Sequence, residues 1–248
     1  MARTAQRPET IHFRGAPRAL STVVKLDPRL SGDVRLSLEL PRGSRVGDVF
    51  TARAAPVRGL GLTRLRLRVP KTMAPGTYRG SAEIGETRQP IVVEIQPERQ
   101  LRFFPSRTSI EAEAGASVDL TLALANLGNV AVEVPESSAF GLFPVKGMDE
   151  VISRVIEARL ERGERRIDRF LDELAESHGG NARVRIRRGS GRLEPGDVHD
   201  LELTLRLPAK LVSGRLYRGL LSLDYAKQRV EVRVLEKSKQ KSARRRKQ

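Results

Sequence analysis

Leu65-Arg66-Leu67-Arg68-Val69-Pro70, followed by Gly76 and then Tyr78-Arg79-Gly80, decides the fold, because the chain says nearly the same thing twice. Leu203, Leu205 and Leu207 run into Pro208, and Gly214 and Tyr217-Arg218-Gly219 follow. Proline and glycine stand six residues apart in both copies, with one extra residue before the second tyrosine. A strand of period two, a proline stop, a glycine turn and a tyrosine opening the next strand form the corner of a Greek-key β-sandwich. Two corners imply two sandwiches in tandem, so the fold class expected is mainly β, with one sandwich over 10–97 and another over 98–236.

Short apolar runs punctuated by Gly, Pro and Asp surround each corner. Thr10 to Arg14, Ser21 to Leu26, Val34 to Leu40, Gly47 to Arg53, Leu62 to Val69, Thr77 to Ile84 and Pro90 to Ile95 read as strands of the first sandwich. In the second, Leu101 to Phe104, Ile110 to Glu113, Ser117 to Ala125 and Val130 to Val134 precede Ala182 to Arg188, Val198 to Leu207, Leu216 to Asp224 and Gln228 to Leu235. Asn126-Leu127-Gly128-Asn129 is the connecting turn, since Asn and Gly tolerate tight backbone.

Between the two groups of second-sandwich strands the period changes. Over 148–177 the residues Ile152, Ile156, Leu160, Gly163, Ile167, Leu171 and Leu174 fall at steps of three and four, which predicts an inserted amphipathic helix, or a helical hairpin hinged at Gly163. Its apolar stripe, Ile152, Ile156, Leu160, Ile167, Leu171 and Leu174, is the candidate interface for a protein partner or for self-association.

The formal net charge of +16 is unevenly placed. Residues 1–97 hold 17 Lys or Arg against 8 Asp or Glu, and 237–248 hold seven basic residues and no acid, whereas acids outnumber bases over 148–177. The last twelve residues have nothing to bury and are expected to form a disordered basic tail. Such a tail suits an acidic protein, a nucleic acid or an anionic surface. Arg64, Arg66 and Arg68 alternate along one strand, Arg183, Arg185 and Arg187 along another, and Arg244, Arg245, Arg246 and Lys247 close the tail. These ten are the candidate polyanion contacts, and Arg79 would extend the first row if its strand lay alongside. With seven Phe, three Tyr and no Trp, none interspersed among the arginines, base stacking on single strands is poorly supplied.

Chemistry of other kinds finds little support. Without cysteine there is no disulfide, thiol nucleophile or thiolate metal site. His12, His178 and His199 are too scattered for a metal-ligand spacing, and His199 and Asp200, as strand neighbours, point to opposite faces. Gly59-Leu60-Gly61 and Gly189-Ser190-Gly191 lack the strand–loop–helix setting of a phosphate cradle and read as turns. No catalytic, metal or cofactor residue is therefore assigned, and an enzyme is not expected. Met1 to Glu9 is followed by no apolar core segment, so neither a secretory signal nor a transmembrane span is expected, and the cytoplasm is the default location.

Several turns give the second half a resemblance to a known family. Asn126, Gly128 and Asn129, then Pro195, Gly196 and Asp197, and then Pro208, Gly214 and Tyr217 resemble the turn chemistry of bacterial and archaeal Ig-like modules of the NEW3 and CARDB type. The first half matches them only at Pro70, Gly76 and Tyr78. The resemblance implies an Ig-like sandwich serving as a non-catalytic spacer, adhesion unit or accessory. The function expected is thus a structural or scaffolding protein making protein contacts through the insertion. A charge-driven, sequence-nonspecific binder of nucleic acid or an anionic surface is the alternative.

Overall fold

The computed structural model describes residues 10–26, 31–40, 47–85, 87–145 and 178–236, together with Ile156 and Ile167. Every element of more than one residue among them is a strand, and Ile156 and Ile167 are single helical positions. The chain divides into two compact units: residues 1–100 with 126–132 and 194–197, and the remainder.

In the first unit seven strands follow one another: β1 (Ile11–Gly15), β2 (Ser21–Val24), β3 (Gly32–Leu38), β4 (Val49–Val57), β5 (Leu62–Arg68), β6 (Gly76–Ile84) and β7 (Thr87–Ile95). Their spatial order is β1-β2-β5-β4-β3-β6-β7. Taken in chain order as A to G, this is the ABED and CFG arrangement of an Ig-like sandwich. Both seams are hydrogen-bonded, β3 to β4 antiparallel and β1 to β7 parallel, so the two sheets run into each other as a closed barrel. Alternation makes the core: Val34, Leu36 and Leu38 of β3 and Leu65 and Leu67 of β5 point inward with Phe13, Leu20, Ile91 and Val93.

The second unit carries β8 (Leu101–Phe104), β9 (Arg107–Ala112), β10 (Ser117–Asn126), β11 (Val132–Val134), β12 (Ser137–Pro144), β13 (Asn181–Arg188), β14 (Gly191–Leu193), β15 (Val198–Arg206), β16 (Leu216–Leu223) and β17 (Ala226–Val234). Eight of them form one sheet in the order β8-β10-β15-β13-β12-β16-β17-β9, and β11 pairs with β14. If β8 and β9 count as one interrupted first strand, this is the order of the first unit again.

The expected helical insertion is overturned, because the described architecture is all-β and no helix stands among its elements. The sheet has no need of one: β12 and β13 pair directly, Ser137 opposite Arg185 through Gly141 opposite Asn181, and the ladder continues as Gly180 accepts from the Leu142 N–H. An apolar residue every three or four positions indicates a helix only if something buries the stripe. Ile156 and Ile167 are 60% and 56% exposed. Ile152, Leu160, Leu171 and Leu174 lie outside the described residues, as does the whole of 237–248.

Both tyrosine corners are formed. The Tyr78 hydroxyl donates to the Ala74 carbonyl at 2.7 Å, whereas the Tyr217 hydroxyl accepts from the Val212 N–H at 3.1 Å. The inserted residue accounts for the exchange of roles: it carries the second tyrosine one position further from its proline. Gly214 takes a left-handed φ of 79° in that longer loop.

The Asn-x-Gly-Asn segment does more than turn. Within the first unit, Asn129 is buried, donates through Nδ2 to the Met73 and Gln96 carbonyls, and accepts the Glu98 N–H at Oδ1. The Leu127 and Asn129 N–H groups donate to the Gln100 and Glu98 carbonyls. Any Cβ at Gly128 would collide with the Glu98 carbonyl oxygen, so the backbones approach closely enough to bond only because that position is glycine.

Candidate anion-binding face

Strand β13 alternates strictly, with Ala182, Val184 and Ile186 buried and Arg183, Arg185 and Arg187 exposed, as a half-buried strand must. Its neighbours complete the outer face. Arg183 stands opposite Arg206 of β15 and Ala139 of β12, and Arg185 opposite Thr204 and Ser137. On the next strand out, Ser117 faces Arg206 and Asp119 faces Thr204.

A shallow groove of about 1050 Å³ follows these side chains, lined by Arg183, Arg185, Arg187 and Arg206 with hydroxyls from Ser117, Ser137 and Thr204. Glu136 is the one acid in its lining, and no aromatic ring belongs to it. Asp119 beside the groove is already engaged. It accepts from Thr204 Oγ1 at 2.7 Å and pairs with Arg187 at 3.2 Å. Among the described residues, Arg183, Arg185 and Arg206 have no carboxylate at salt-bridge distance.

Two arginines elsewhere on the same unit are already engaged. Glu231 of β17, only 5% exposed, is gripped by Arg107 of β9 on one oxygen and by Arg218 of β16 on the other, at 2.9 Å. The Arg107 hydrogen bond holds the Glu231 carboxyl below the ordinary carboxylate range; burial opposes that effect and Arg218 adds to it. The arrangement is a three-strand clamp, structural in character.

In the first unit Arg64, Arg66 and Arg68 of β5 are exposed on one face. Arg66 is opposite Arg53 of β4, which in turn is opposite Asp33, and Arg68 is opposite Thr51. Arg79 does not join them: β5 pairs with β2 and β4, while Arg79 lies on β6 between β3 and β7. Arg244, Arg245, Arg246 and Lys247 lie outside the described residues.

Sequence reasoning missed Arg53 and Arg206, which enter only through cross-strand register. The repeat held a signal for one of them, since Arg206 precedes Pro208 by two residues just as Arg68 precedes Pro70.

The remaining candidates have structural settings. Tyr78 is buried, and burial pushes its phenol up, so the hydroxyl stays a donor. His199 Nδ1 lies 3.0 Å from the Gly189 carbonyl oxygen, and the His178 ring centroid is 4.7 Å from that of Phe143. Among the described residues, no group of three or more His, Asp or Glu side chains is placed to hold a metal, and no helix is long and apolar enough to cross a membrane.

No family model and no curated protein matches the chain. Solved structures similar to it include the I67–I69 fragment of the titin I-band, at 12% identity over 95% of this chain and a TM-score of 0.34. The chain spans 65% of that fragment, just under two thirds. A complex of Dpr11 IG1 with DIP-gamma matches at 12% identity over 92% of this chain and 97% of that one, with a TM-score of 0.30. A protein of unknown function from Porphyromonas gingivalis W83 matches at 10% identity, covering 91% and 96%, with a TM-score of 0.27. At these scores the likeness carries no argument; the Ig-like character rests on strand order and on the tyrosine corners.

Proposed function

We propose that the chain is a non-catalytic structural and interaction protein, built of two Ig-like modules of which the second is of the NEW3 and CARDB type and the first shares only its tyrosine corner, that holds an acidic partner by charge. The observation that carries this reading is the placing of arginine opposite arginine on outer sheet faces, Arg53 with Arg66 and Arg183 with Arg206. Like charges directly opposite across strands destabilise a sheet, and none of these four has a carboxylate at salt-bridge distance among the described residues. A bound anion would remove the repulsion. A cytoplasmic setting belongs to the same proposal.

The alternative, a sequence-nonspecific binder of nucleic acid or an anionic surface, draws on the seven basic residues of 237–248. One experiment separates them. The full chain and a version lacking 237–248 are titrated with an acidic polypeptide and with DNA over a range of salt. Retained affinity for the polypeptide after truncation supports the first reading. Loss of all binding with the tail, or a preference for DNA with a steep salt slope, supports the second. Failure to bind any polyanion at low salt refutes both.

A further inference from the structure

We propose that the groove on the outer face of β13, between β12 and β15, is a docking site for an extended acidic peptide with carboxylates at alternate positions. This rests on the reading of the chain as a module that holds acidic partners, and adds to it a place, a register and a ligand class.

Alternate residues of a strand stand about 6.8 Å apart, which sets the pitch of Arg183, Arg185 and Arg187. An extended peptide presents the side chains of its own alternate residues at the same pitch, so one laid along β13 can offer a carboxylate to each arginine in turn. Arginine suits this role because its planar fork takes a carboxylate with two parallel hydrogen bonds. Arg206 lies directly opposite Arg183 on the neighbouring strand, about 4.8 Å away in the hydrogen-bonding direction, so one carboxylate can bridge both. Hydroxyls of Ser117 and Ser137 are at hand for the polar groups of the incoming chain.

Occupation differs along the row. Arg187 already holds Asp119, which in turn holds Thr204, so that end is neutralised and fixed. Arg183, Arg185 and Arg206 are left as the receptive end among the described residues. A single-stranded nucleic acid fits less well, because the lining supplies no aromatic ring on which a base could stack.

The test uses the full chain and three labelled probes of equal charge: a short peptide alternating Glu with Ser, its block isomer with every Glu at one end, and an oligothymidylate. Binding is followed by fluorescence anisotropy at low and physiological salt. The alternating peptide should bind about tenfold more tightly than its block isomer. R183Q/R185Q should cost about tenfold on the alternating peptide, while R35Q/R58Q, which removes the same charge from exposed positions of the other unit, should leave it nearly unchanged. Neither double variant should lower the Tm, since both remove exposed charge and no packing. Equal affinity for all three probes, or equal losses in the two variants, overturns the groove while leaving charge-driven binding in place. No binding of any probe at low salt overturns both.

Discussion

Two arginine clusters on the second unit use the same side chain in opposite ways. At β17 a carboxylate, Glu231, stands between Arg107 and Arg218, is nearly buried, and consumes both of them. At β13 arginine faces arginine, with Asp119 committed to Arg187 at the margin and Glu136 of the groove lining at salt-bridge distance from none of Arg183, Arg185 and Arg206 among the described residues. Arginine content says little until the acids within reach are known. Bonded to a carboxylate the residue staples three strands together, and facing another arginine with no acid in reach it is an unmet demand for charge.

The largest effect should come from breaking the satisfied cluster. Glu231→Gln leaves Arg107 and Arg218 facing each other over a neutral amide, and thermal unfolding should show a Tm several degrees lower. Because the folded-state pKa of Glu231 is depressed, its contribution is present above the ordinary carboxylate range and is lost as pH falls through the folded value. A stability–pH profile should therefore show an acid limb that is shallower in the Gln variant. An unchanged Tm and an unchanged acid limb would place Glu231 with the exposed pairs that contribute little.

The tyrosine corners come next and sharpen a second comparison within the molecule. Tyr217→Phe strands an N–H donor at Val212 and should cost about 1 kcal/mol in denaturant unfolding. Tyr78→Phe releases only the Ala74 carbonyl, whose second lone pair makes the loss easier to bear, and should cost less. A larger loss at Tyr78 would contradict the assigned donor and acceptor roles.

The smallest effect carries the opposite sign. Replacing either member of the Arg183 and Arg206 pair by Gln relieves a like-charge contact and should raise stability by about 0.2–1 kcal/mol at low salt, fading as salt is added. Destabilisation by either change would mean that the pair is held by a partner on this chain.

Much of this was legible in the residues. Alternation in Val34 to Leu38 and Leu203 to Leu207 places strands and core, and the proline, glycine and tyrosine spacing finds both corners. Strand β12 was not legible, because Ser137–Pro144 offers a glycine, a proline and no β-branched residue, and its strand character comes from pairing with β13 and β16. The helical period over 148–177 gains no support from the described architecture, where no helix stands as an element and Ile156 and Ile167 are exposed, because apolar spacing encodes a face without encoding what covers it. The outward direction of Arg183, Arg185 and Arg187 followed from period two alone. Their meaning required the register that brings Arg206 opposite Arg183 and gives Asp119 to Arg187, and register is set by long-range pairing that no local pattern contains.

The most direct test of the central claim, that the β13 face is an unmet demand for negative charge, is the Tm of the full chain and of R183Q/R206Q with and without polyglutamate. Polyglutamate should raise the Tm of the parent chain, as a ligand of the native state does, and raise that of the variant far less. An equal rise in both, or none in the parent chain at low salt, would contradict it.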